Sequence, residues 1–105
     1  MKDYSWPALE EIYLEKNMIS NIDLLAGFPM LKKIDASNNY IEDVNLYLPK
    51  LESLDLRNNY LKKFPILEGM VRLKHLNLKG NQLVDFSEVL IHFTPNIQTL
   101  NIEGN

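Results

Sequence analysis

A chain of 105 residues without cysteine is long enough to bury one small hydrophobic core but has no route to a disulfide framework or a thiolate metal site. Its 46% hydrophobic and 24% charged residues exclude a disordered polymer, and its formal charge of −3 excludes the uniformly basic surface of a general nucleic-acid binder. No apolar run approaches the roughly 20 residues that a transmembrane helix requires, so no membrane insertion is expected.

The first eight residues, MKDYSWPA, carry an early acidic side chain and no apolar h-region, so they do not read as a signal peptide. An intracellular protein is expected, cytoplasmic ahead of nuclear. Tyr4, Trp6 and Pro7 are expected to fold over the first coil as a cap. From Leu9 onward one frame recurs: LEEIYLEKNMI, LKKIDASNNYI from Leu31, LESLDLRNNYL from Leu51, LKHLNLKGNQL from Leu73 and IQTLNIEGN from Ile97. The starts lie 22, 20, 22 and 24 residues apart. In each copy the apolar residues of LxL alternate, which predicts a short strand with Leu54 and Leu56 inward and Ser53, Asp55 and Arg57 outward. The asparagine that closes each copy is placed to satisfy backbone groups of a sharp turn. One such unit cannot bury its apolar face alone, so the copies are expected to stack.

The segments between strands differ. In the first copy Ile22, Leu25 and Phe28 continue the apolar pattern, and in the third Phe64, Leu67 and Met70 do so. The second is shorter and has Ala36 in place of a large inward residue, so Leu46 or Tyr47 is expected to fill the space. The fourth contains DFSEVLIHF, with Phe86, Val89, Leu90 and Phe93 at helical spacing and Ser87 as N-cap, ending at Thr94-Pro95. A convex helix is expected there, with His92 as a partly exposed surface histidine beside Phe93. The last copy stops at Asn105 before its coil returns, which reads as a fragment of a longer protein or as an end covered by another chain through self-association.

The frame LxxLxLxxNxL, from Leu9 to Asn105, resembles the leucine-rich repeat of the 22-residue class. The resemblance implies a right-handed α/β solenoid, with parallel strands on a concave face and turns, 3₁₀ segments or short helices on the convex side. It implies one domain over residues 1–105, with 1–8 as the cap segment, repeats starting at 9, 31, 51, 73 and 97, and the last repeat truncated. It also implies a buried ladder of Asn17, Asn39, Asn59, Asn81 and Asn105. Similar repeats occur in regulatory subunits of type 1 protein phosphatase, axonemal dynein-associated light chains, and spliceosomal or acidic nuclear leucine-rich repeat proteins, which implies partner binding through the concave face.

Parallel strands in register turn equivalent positions into columns about 4.8 Å apart. The three outward columns read Glu11, Lys33, Ser53, His75, Thr99; then Tyr13, Asp35, Asp55, Asn77, Asn101; then Glu15, Ser37, Arg57, Lys79, Glu103. Ser53, Asp55 and His75 are the residue types of a hydrolytic triad, but an open sheet face lacks an oxyanion hole and a pocket, so no catalytic residue is assigned. Asp35 and Asp55 adjoin as a cation site would require, yet Lys33, Arg57 and Lys79 compete for them. With four glycines and no phosphate loop, no metal or cofactor is expected. The expected function is a non-enzymatic protein-interaction module, part of a larger intracellular scaffold or regulatory protein. Its candidate contacts are Tyr13, Lys33, Asp35, Asp55, Arg57, His75, Asn77 and Lys79. The competing reading is RNA or ribonucleoprotein association. Residues 50–81 carry seven basic and three acidic side chains, among them Arg57, Lys62, Lys63, Lys74 and Lys79, and Tyr40 and Tyr60 are available to stack. LKKF also reads as a solvated turn, and the acidic flanks disfavour nucleic acid.

Overall fold

The computed structural model describes residues 8–84 and 94–105. Five strands, β1 (Glu11–Tyr13), β2 (Lys33–Asp35), β3 (Ser53–Asp55), β4 (His75–Asn77) and β5 (Thr99–Asn101), join in sequence order into one parallel sheet. Glu11, Lys33, Ser53, His75 and Thr99 are successive partners, as are Tyr13, Asp35, Asp55, Asn77 and Asn101. These are the columns that the spacing implies. Each strand is one pass of a β-solenoid whose coils stack along the sheet.

Alternation decides which residues fill the coil. Ile34, Leu54 and Leu76 point inward from the strand centres and are at most 1% exposed, while Leu31, Leu51 and Leu73 are sealed completely before the strands. Leu56 and Leu78 complete the inner row, with Ala36 in the short second coil. The end coils are less enclosed: Ile12 and Leu14 are half-buried, and Leu100 and Ile102 are exposed. That gradient is what stacking produces, since each coil is covered only by its neighbours.

Two turns recur. Before each strand from β2 onward a four-residue turn closes by Leu31 N–H to Phe28 O, Leu51 to Leu48, Leu73 to Met70 and Ile97 to Thr94, at 3.1–3.2 Å. Its second residue is Pro29, Pro49, Val71 or Pro95, and the fixed φ of proline suits that position. After each strand the backbone enters the left-handed region at Lys16, Asn38, Asn58, Gly80 and Gly104, with φ between 56° and 70°. Asparagine and glycine tolerate this conformation best. At Gly80 the positive φ is the main constraint, and a Cβ there would also push the exposed Asn58 side-chain amide aside.

The next residue is the ladder asparagine. Asn59 accepts the Ile41 N–H at 3.0 Å and donates to Ala36 O and Leu56 O, so one amide ties its own turn to the preceding coil. Asn39, Asn81 and Asn105 do the same toward Ile19 and Leu14, Leu61 and Leu56, and Leu83 and Leu78. Asn39, Asn59 and Asn81 are buried. Asn17 departs from the buried ladder: it is exposed, and among the described residues its side-chain amide donates to Glu15 O.

On the convex side the one helical element among the described residues is a 3₁₀ segment, Asp23–Gly27. Asn45 N–H donates to Asp23 Oδ1 at 3.1 Å, and Asn45 pairs in parallel with Ile66. Of the two residues expected to fill the space beside Ala36, Leu46 is 1% exposed and Tyr47 is 58% exposed. The alternation of this extended stretch turns Leu46 and Leu48 inward and leaves Tyr47 lying across Gly69 of the next coil. The expected cap residues Tyr4, Trp6 and Pro7, and the expected helix from Asp85 to Phe93 with His92, lie outside the described residues. Among the described residues no helix is long and apolar enough to cross a membrane.

Candidate interaction surface

The concave face consists of what the strands turn outward, and its side chains fall into two halves. In the first three coils they engage one another. Tyr13 donates to Glu11 Oε1 at 2.6 Å, and Lys33 Nζ sits 5.4 Å from the centre of the Tyr13 ring. Glu11 thereby holds the Tyr13 phenol above its usual range. Ser37 donates both its N–H and its hydroxyl to Asp35 Oδ1, at 3.1 and 2.8 Å. Arg57 donates its N–H to Asp55 Oδ1 at 3.1 Å. Arg57 Nε also lies 3.1 Å from Asp55 Oδ2, but its N–H is not aimed at an acceptor, so this contact is ionic rather than a hydrogen bond. Partial burial pushes the Asp55 carboxyl above the ordinary carboxylate range; the Arg57 N–H and charge oppose this, and Asp35 adds to it.

In the last two coils the central column is neutral and less engaged. Asn77 Oδ1 accepts the Lys79 N–H at 3.1 Å and Asn101 Oδ1 accepts the Glu103 N–H at 3.0 Å. His75 Nδ1 and Thr99 Oγ1 are 2.8 Å apart. Ser53, Asp55, His75, Asn77, Thr99, Asn101 and Glu103 line an open hollow of about 560 Å³. Thr99 and Asn101 are not among the candidate contacts read from the sequence, although their columns contain them; the register is the signal that finds them.

The residue types of a triad are adjacent but not connected as one. His75 Nδ1, which would need an acid, meets Thr99, while Asp55 faces Arg57. Asp35 and Asp55 are neighbours, and each already has an internal donor. Among the described residues no group of three or more histidines and carboxylates is arranged to hold a metal ion.

The basic residues of the middle coils do not share a face. Arg57 and Lys79 project from the concave side, Lys62 and Lys63 lie beyond the strands beside Glu42 and Asp43, and Lys74 lies before β4, 3.5 Å from Glu52. Tyr40 and Tyr60 stack on the rim with ring centres 5.9 Å apart and planes 20° from parallel, next to the exposed Met18.

A sheet of in-register strands over an asparagine ladder is the architecture of a leucine-rich repeat protein, and the family description "Leucine Rich repeats (2 copies)" matches residues 29–69 and 49–92. The chain belongs to the leucine-rich repeat family. Its structure is similar to the crystal structure of internalin C2 from Listeria monocytogenes, with a TM-score of 0.78 and 27% sequence identity. The alignment covers 91% of this chain and 42% of internalin C2, so the chain spans less than half the length of that protein. No curated protein matches the sequence.

Proposed function

We propose that this chain is a non-enzymatic protein-interaction module that binds a partner protein across its concave face, as part of a larger scaffold or regulatory protein. Its contacts are drawn from Tyr13, Lys33, Asp35, Asp55, Arg57, His75, Asn77 and Lys79. The observation that carries this reading is the division of labour within each strand. The inward residues and the ladder asparagines fix the backbone, and the outward rows form an open face of polar side chains. A face held rigid in advance gives up little conformational entropy on binding. Tyr13, which is 52% exposed, and Arg57 are residue types that anchor interfaces. Leucine-rich repeat membership favours the same reading, since stacked repeats offer wide concave binding surfaces. The nucleic-acid reading is weaker because the lysines that would carry it sit on different faces, several beside carboxylates.

The test is affinity capture from cell extract with the chain beside an Arg57→Ala/His75→Ala/Lys79→Ala variant, with nuclease treatment in parallel. These three side chains make none of the side-chain acceptor bonds that close the turns. A protein retained after nuclease and lost with the variant supports the concave interface. Capture that nuclease abolishes and the variant preserves moves the function to nucleic acid.

A further inference from the structure

The second outward column holds Asp35, Asp55, Asn77 and Asn101, and all four use Oδ1 to accept the N–H of the residue two positions on, at 3.0–3.1 Å. Aspartate and asparagine therefore close this turn with the same geometry. Asp55 nevertheless brings a carboxylate to a half-buried place, where burial holds its carboxyl above the ordinary range even with Arg57 beside it. An amide there would close the turn without that cost, so the turn gives no reason for the charge.

The place that Asp55 occupies is one wall of the hollow across β3, β4 and β5. Two charged residues line that hollow, Asp55 and Glu103, and both are acidic. Arg57 and Lys79 stand outside the lining, and Glu103 makes no ion pair among the described residues. Asp55 Oδ2 is also open as a hydrogen-bond acceptor, because the Arg57 Nε–H beside it is not aimed at it. The same hollow is bordered by Leu100 and Ile102, which are 40% and 36% exposed. We infer that this end of the concave face receives a basic segment of the partner protein, whose Lys or Arg side chains enter the hollow and meet Glu103 and Asp55. The charges are complementary, and hydrogen bonds between ionised partners are the strong ones. Long basic side chains also suit the walls, since their stems lie along apolar surface such as Leu100 and Ile102 while the heads reach the carboxylates. Asp55 and Glu103 stand two strands apart, about 10 Å, so two basic side chains of one segment are needed to meet both. This inference rests on the concave-face reading and specifies its partner's chemistry.

The experiment is selection of a random linear peptide library against the full chain and against an Asp55→Asn/Glu103→Gln variant. That variant keeps the turn-closing Oδ1, as Asn77 does, and its unfolding midpoint checks that it folds. The parent is expected to enrich peptides with two or more Lys or Arg residues. Their affinity should fall at least about tenfold on the variant, as loss of one charge-assisted hydrogen bond would give, and the variant's own selection should lose the basic preference. Enriched peptides that lose binding with Arg57→Ala/His75→Ala but show no basic preference, and that ignore Asp55→Asn/Glu103→Gln, would overturn the inference and leave the concave reading intact. A library that yields no binder, or only binders indifferent to every concave substitution, counts against both.

Discussion

At the scale of single residues, the same amino acid does unequal work in successive coils. Asn59 is buried with four side-chain hydrogen bonds inside and between coils, so Asn59→Ala leaves backbone donors and acceptors unpaired and is expected to cost about 1–3 kcal/mol in chemical denaturation. Asn17→Ala, at an exposed position, should cost only a few tenths, as surface changes away from such networks do. Equal costs at the two sites would contradict a buried ladder that begins at Asn39. Asp55 gives a second, pH-dependent prediction. Burial raises its carboxyl, so the folded chain holds that proton more tightly than the unfolded chain does. The stability this group contributes is present below its unfolded pKa and is lost as pH climbs through the carboxylate range to the raised folded value. Asp55→Asn keeps the oxygen that closes the turn and removes the titration. Urea unfolding across pH should find the variant at least as stable as the parent at pH 7, with that advantage disappearing in acid; an advantage that grows in acid would reverse the assignment.

At the scale of elements, the strands were legible in the sequence and the convex segments were not. A period of two in LxL, repeated five times, fixes which residues point inward and, with the spacing, which ones become neighbours. The convex stretches have no such redundancy. The Leu46–Tyr47 pair offered two apolar candidates for one space, and only the bridge between Asn45 and Ile66 settles which one turns in. The 3₁₀ segment Asp23–Gly27 likewise has an apolar residue, Ile22, at its cap position, and its first N–H is accepted by Asn21 Oδ1 one residue earlier. On the concave side the column positions were legible, but the pairing of Ser37 with Asp35 or His75 with Thr99 depends on rotamers that spacing does not encode. The turn after each strand supplies the element-scale prediction. Gly80→Ala puts a Cβ on a residue with φ 69° and against Asn58 Oδ1, and is expected to destabilise by about 1–3 kcal/mol. A thermal melt unchanged by this substitution would mean that the turn can adopt another conformation at no cost.

At the scale of the whole molecule, stacking makes each coil depend on its neighbours, and the result is a slab of about 48 × 30 × 17 Å with one broad sheet face. The inner rows seal the coils, the asparagines lock their turns, and the outward rows keep a freedom to vary that the core does not have. Binding is therefore expected to occupy that outward concave surface. The competing location on the same molecule is the rim formed by Met18, Tyr40 and Tyr60, where stacked aromatic rings are also exposed. The measurement that separates them is an NMR chemical-shift map of the isotopically labelled chain titrated with the captured partner. Concave binding predicts shifts concentrated on β2 to β5 and on the side chains of His75, Asn77 and Asn101, with the rim little changed. Shifts centred on Met18, Tyr40 and Tyr60, with the concave strands unperturbed, would contradict it.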